Sequence, residues 1–338
     1  MQYKSLSSRD FSLDNIRFLL IFSVVFAHFL EVSDQFNGIL LVYKFIYSFH
    51  MPVFIFLFGY NVKYSSKRIV YHWLIPYIVF QSIYILFSRC VLDIDEKFQY
   101  STPYWHLWYI LACLFYQLLL PLFDTSDKRR QFLAIISVFI ISLIIGFNDY
   151  VGYFMSLSRF FVFQPWFLLG YYCKKDGILE TISVRSKIHS IITFISIAII
   201  VLSAPFLYYT KIPSRLLYGS YSYTNCDSTI WMRTIVFMIS LAWILFLFVG
   251  VKHVLNKKIP LITIIGQNTW PIFLLHGFFV KIIPVYCPGL LNTPLKVLLL
   301  SSIILILLGN KICKKTIYYT CFSWLETLST NDSKSTTK

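Results

Sequence analysis

At 338 residues, 57% hydrophobic and 19% aromatic with only 13% charged, the chain has too little polar surface for a water-soluble globule; it reads as an all-α, polytopic membrane bundle. A net charge of +15 would point a soluble protein towards nucleic acid, but here the cations gather on alternate connections between apolar runs, which excludes nucleic acid as a partner. Seven cysteines show no CxxC pairing and no metal-ligand spacing, so no metal is expected; Cys226 and Cys287 fall on one predicted side, where they are able to meet.

The first apolar run, 12–31, is of spanning length and is expected to stay as an anchor, because no small-residue cleavage site follows it. It carries Asp14, Arg17 and His28, groups that are expensive in a bilayer. The step from Arg17 to His28 is about three helical turns, or about 16 Å of rise, and returns to nearly the same face. Asp14 lies one turn before Arg17, as an orienting partner for it. Further runs near 38–62, 69–90, 104–123, 131–148, 157–173, 187–209, 229–250, 264–286 and 293–309 bring the count to about ten spans. Lys63, Lys67, Arg68, Lys128 to Arg130, Lys174, Lys175, Lys252, Lys257, Lys258 and Lys311 to Lys315 crowd the even-to-odd connections and the ends, so both termini are expected in the cytoplasm. Residues 1–323 form one membrane domain; 324–338 read as a polar, disordered cytoplasmic tail.

With that orientation His28 lies in the outer half, and the second span returns His50 to a similar depth. A histidine there either satisfies itself on a helix carbonyl or faces a cavity, and the sequence leaves both open for His50, His106 and His276. His106 and Trp108 open the fourth span, where aromatic residues form either an interfacial belt or a saccharide-binding wall; Trp105 is read as belt. Arg159 starts the sixth span from outside, as a snorkelling residue or an acceptor contact. On the cytoplasmic side Lys63, Lys67 and Arg68 cluster with His72, as topology charges or as contacts for donor phosphates. No Walker A motif, GxGxxG, HExxH or GxSxG is present.

Five strings appear in one order: Asp14-x-x-Arg17 with His28, SFHMP at Ser48 to Pro52, HLWY at His106 to Tyr109, FFVFQPWFLLGYY at Phe160 to Tyr172, and GQNTWPIFLLHG at Gly266 to Gly277. Together they resemble the integral-membrane acyltransferase family 3, in particular its fucose 4-O-acetylase-like and enterobacterial common antigen O-acetyltransferase-like branch, over Leu13 to Leu308. The resemblance implies transfer of an acyl group, usually acetyl from acetyl-coenzyme A, to a hydroxyl of a cell-surface saccharide, with Arg17 and His28 as the essential pair. Two positions depart from the family pattern: Phe18 where glycine is common, and Phe58 where serine precedes the glycine of the second helix.

The expected partners are therefore acetyl-coenzyme A as a co-substrate, with no permanently bound cofactor, a polysaccharide or lipid-linked saccharide acceptor, and the lipids of the bacterial inner membrane. His28 acts either as a general base for direct transfer or as an acyl carrier. A transporter or flippase for a lipid-linked saccharide is the rival class, since the same buried charges would line a pathway.

Overall fold

A computed structural model describes residues 10–34, 38–184, 186–210 and 212–321, and all regular structure among them is helical. In chain order the main helices are α1 (Ser12–Glu31), α2 (Ile39–Tyr47), α3 (His50–Asn61), α4 (Ser66–Val91), α5 (Trp105–Phe123), α6 (Lys128–Phe147), α7 (Leu157–Lys175), α8 (Lys187–Tyr209), α9 (Ile230–Gly250), α10 (Pro260–Gln267), α11 (Thr269–Tyr286), α12 (Pro294–Leu308) and α13 (Lys311–Cys321). The predicted tail at 324–338 lies outside the described residues.

Eight helices, with α2 and α3 counted together, are long and apolar enough to cross a membrane among the described residues. A ninth follows if α12 and α13, bent by 64°, form one broken span. This is fewer than the ten expected. The predicted sixth span is present as α7, but it is less apolar than a lipid-facing helix because most of its residues are buried against protein. In contrast, little of α6 and α8 is buried, so these two form the periphery.

Backbone approach sets the central pair. A side chain on Gly59 of α3 would overlap the Phe167 carbonyl of α7, and one on Gly170 of α7 would overlap the Phe56 carbonyl of α3. Two glycines facing each other let the helix axes come within backbone contact, the packing available where lipid supplies no hydrophobic drive. The break between α2 and α3 at Ser48 and Phe49 has a local cause. Pro52 has no N–H to donate to the carbonyl of Ser48, and the Ser240 hydroxyl of α9 donates to that carbonyl instead, at 2.7 Å. The break starts α3 afresh at His50.

Three apolar clusters fill the interior. Ile21 and Val24 of α1 belong to one, Trp108 of α5 to a second and Trp73 of α4 to the third. The gap where these clusters fail to close on one another lies beside His28. All seven cysteines are free; Cys226 is buried and donates to the Ser222 carbonyl, whereas Cys287 is exposed, so the anticipated meeting of Cys226 with Cys287 does not occur.

Candidate active site

Arg17, Ile21, Val24 and His28 follow one another at helical spacing and share one face of α1. At the start of this line the Arg17 guanidinium donates to Asp14 at 2.8 Å, and the other oxygen of Asp14 accepts from the Gln267 amide at 2.9 Å. Asp14 is thus tied to α10 as well as to Arg17, and the Arg17 side chain keeps 31% exposure. At the far end His28 Nδ1 lies 3.3 Å from the Tyr47 hydroxyl and 3.5 Å from a Glu31 carboxylate oxygen, while Nε2 makes no hydrogen bond among the described residues.

Two recesses meet at this histidine. The larger is a polar cavity of about 390 Å³, lined by His28, Glu31, Tyr47, His50 and Arg159 together with aromatic residues of several helices. The smaller is an apolar slot of about 110 Å³, running along Ile21 and Val24 past Trp73, Trp270 and Phe273. His28, Met51, His106 and Trp108 line both. The slot wall depends on a local irregularity in α4, where residues Ile69–Leu74 form a π-helical stretch that carries His72 and Trp73. Trp73 packs edge-on to Trp270 at 5.6 Å between ring centroids, and His72 stacks on the Trp270 ring at 4.9 Å.

Around His28 the ring contacts are close. Trp105 lies 4.2 Å away and His276 stacks on it at 5.5 Å; His276 in turn meets His106 at 4.8 Å. Trp105 holds a left-handed backbone, φ 33°, which costs on the order of 1–3 kcal/mol for a residue with a side chain and persists only where the surroundings enforce it. Trp105, read from the sequence as belt, also lines the polar cavity against His28. His106 is 3% exposed and neither ring nitrogen makes a well-formed hydrogen bond among the described residues, the Phe273 backbone being a polar neighbour. It fits because Gly277 faces it: a Cβ there would come within 2.6 Å of both His106 Cε1 and the Tyr84 hydroxyl.

The remaining sequence candidates separate. His50 is buried and donates from Nδ1 to the Ile46 carbonyl at 2.8 Å, and it also lines the polar cavity, so both alternatives for it hold at once. His276 lines neither recess; its Nδ1 donates to the Ile272 and Phe273 carbonyls and its ring backs His28. Arg159 lines the polar cavity with its guanidinium over Trp108. Lys63 belongs to a separate recess of about 260 Å³ beside Asp124 and Tyr171, while Lys67 and Arg68 are exposed at the start of α4. Glu31, Tyr47 and Lys281 also line the polar cavity, beyond the candidates drawn from the sequence. For Glu31 a signal existed, since an acid three residues after a histidine shares its helix face. Tyr47 and Lys281 reach the site only through helix packing. The phenols of the connection after α8 stay neutral: burial pushes Tyr218 up, and Tyr221 is pushed up to about 12, first by its hydrogen bond with Tyr153. Although three imidazoles meet, no group of three metal-ligating side chains is disposed to hold an ion among the described residues.

The family model described as an acyltransferase domain, that of acyltransferase family 3, matches residues 10–309. The chain belongs to acyltransferase family 3. No curated protein and no solved structure matches it. The family assignment and the apolar helices together make the chain a membrane acyltransferase, integral to the bilayer. An enzyme of acyltransferase family 3 has a donor and an acceptor to accommodate, and in this member two recesses of unlike polarity converge on one histidine.

Proposed function

We propose that the chain transfers acetyl from acetyl-coenzyme A to a hydroxyl of a cell-surface saccharide or its lipid-linked precursor, in the bacterial inner membrane, as an O-acetyltransferase of the fucose 4-O-acetylase-like or enterobacterial common antigen O-acetyltransferase-like branch. The observation that carries the reading is that His28 is a wall of both the polar cavity and the apolar slot. A narrow aromatic slot suits a thin thioester arm. A wide recess rich in hydroxyl, carboxylate and amide groups suits a saccharide. Loop cations orient the Arg17 end towards the cytoplasm, so the donor enters there, with its phosphates met by Arg17 and, at the same end, Arg68 and Lys67. Coenzyme A is a co-substrate rather than a resident cofactor.

In the step proposed, the acceptor hydroxyl oxygen attacks the thioester carbonyl carbon while His28 Nε2 takes the hydroxyl proton. Glu31 and Tyr47 hold Nδ1 and so fix which nitrogen faces the reaction. The carbonyl electron pair moves to oxygen, and the His106 ring, a wall of the slot, turns a ring N–H from its buried resting position to donate to the developing charge. Collapse breaks the carbon–sulfur bond, and the proton on His28 leaves with the coenzyme A thiol. Because both substrates reach His28 together, direct transfer is favoured over an acyl-imidazole intermediate.

The test uses the full chain in lipid nanodiscs with acetyl-labelled coenzyme A and extracted surface saccharide. Label is expected in the saccharide, with intersecting initial-velocity lines and none on the protein. Parallel lines with acetylated protein would replace direct transfer by the acyl carrier, and absence of label from every saccharide fraction would remove the acetyltransferase reading. Arg17→Gln is expected to raise the KM for acetyl-coenzyme A by about 10- to 100-fold, the worth of a hydrogen bond to a charged group, with much less change in kcat. Titration of each substrate in turn separates this from a general loss of activity.

A further inference from the structure

Three cations line the polar cavity, Arg159, Lys97 and Lys281, against two carboxylates, Glu31 and Glu96. Glu31 leans on His28, and none of the three cations forms an ion pair among the described residues. Lys281 lies over the Trp105 ring. Arg159 is the most constrained of them. Its Cζ lies 5.0 Å from the Trp108 ring centroid and 5.1 Å from that of Tyr153, and its Nε donates to the Tyr218 carbonyl at 3.1 Å. The two terminal nitrogens make no hydrogen bond among the described residues. Burial pushes the Tyr218 phenol up and Tyr221 is pushed up to about 12, first by its hydrogen bond with Tyr153, so neither supplies a phenolate to balance the Arg159 charge.

The backbone that delivers Arg159 is held at some cost. Met155 and Ser156, just before α7, have φ of 48° and 53°, the left-handed region that glycine normally fills. Met155 N–H donates to the Ser101 carbonyl at 2.6 Å and the Ser158 hydroxyl to the Gly219 carbonyl at 2.8 Å, so two other connections clamp this turn. Arg159 also sits in the first turn of α7, where the helix dipole disfavours a cation and favours an anion beside it. A planar fork with unspent donors, fixed between two aromatic faces and in no direct ion pair among the described residues, with Glu31 across the same cavity as the nearby carboxylate, has the geometry of a bidentate carboxylate or phosphate receptor.

We propose that this corner of the polar cavity is an anion seat, and that the acyl acceptor carries a fixed negative charge, a carboxylate or a phosphate, gripped by Arg159 while the sugar occupies the rest of the polar cavity. The inference rests on the reading of the cavity as the acceptor site. It makes Arg159 a specificity-determining residue that recognises a group remote from the reacting hydroxyl.

The experiment is a thermal-unfolding titration of the full chain in nanodiscs with three probes of one sugar: glucose, glucuronate and glucose 1-phosphate. Either anionic probe is expected to reach half-saturation at a concentration about tenfold or more below that of glucose, as charge-assisted pairing requires, and which of them does so separates a sugar carboxylate from a phosphate link. In Arg159→Gln that preference is expected to vanish; in Arg159→Lys, which keeps charge but loses the fork, it is expected to weaken and provides the comparison if the glutamine variant does not fold. Equal response to glucose and both anions, response to none of them, or an undiminished preference in both variants overturns the anion seat. Coenzyme A, titrated against the wild type alone, reads the donor side. Stabilisation by coenzyme A without an anion preference removes only the anion seat, whereas an anion preference without stabilisation by coenzyme A counts against the acetyltransferase reading.

Discussion

Replacement of His28 by alanine is expected to lower kcat for acyl transfer by about 10³-fold, within the range attributed to a positioned general base, with the protein still inserted and unfolding at a similar temperature. The size follows from how much converges on this one ring: Tyr47 and Glu31 at Nδ1, Trp105 and His276 on its faces, and a recess on either side. His28→Gln fills much of the space and is expected to be as inactive, because an amide cannot accept and return the proton. A His28→Ala enzyme within a few-fold of wild type in single-turnover transfer would remove His28 from the chemistry and leave the cavity without a base.

His106 gives the second large effect. A buried imidazole with neither nitrogen in a well-formed hydrogen bond among the described residues is costly to keep, since leaving a buried polar group unsatisfied costs about 1–3 kcal/mol. Its retention beside His28, in a space kept open by Gly277, is accounted for if the partner is supplied by substrate. His106→Ala is expected to reduce kcat by about 10²- to 10³-fold, as loss of an oxyanion donor does, with the KM for the donor changing far less. Two further variants separate donation from packing. His106→Gln retains an N–H and is expected to recover part of the rate, while His106→Phe fills the volume without a donor and is expected to match alanine. Equal recovery by phenylalanine would reduce His106 to a packing residue.

The parts of the site that were legible in the sequence are those held by a single helix. Arg17 and His28 were conspicuous because charged and titratable groups in a spanning run stand out against the cost of burial, and Asp14 because it lies one turn away from Arg17. Glu31 is legible by the same spacing rule, three residues after His28 on one helix face. The count of spans fell short at α7 for a physical reason: a helix enclosed by other helices need not be as apolar as one facing lipid, so composition and length do not rank it with the others. The basic cluster at Lys63, Lys67 and Arg68 looked like one patch in sequence, yet the turn between α3 and α4 sends Lys63 to a different recess.

By itself, then, the sequence determined the class of solvent, the helical architecture and the line Arg17, Ile21, Val24, His28 along α1, because hydropathy and the helical period are local properties. Only the tertiary structure decided what surrounds that line. Tyr47 of α2, the Trp105 and His106 pair of α5, Arg159 of α7 and His276 of α11 arrive from distant parts of the chain. Their meeting depends on how closely backbones approach, as at Gly59 and Gly170, and on how each helix is rotated about its axis. Hydropathy does not encode those rotations, since every face of a helix inside a membrane bundle is apolar enough to pack.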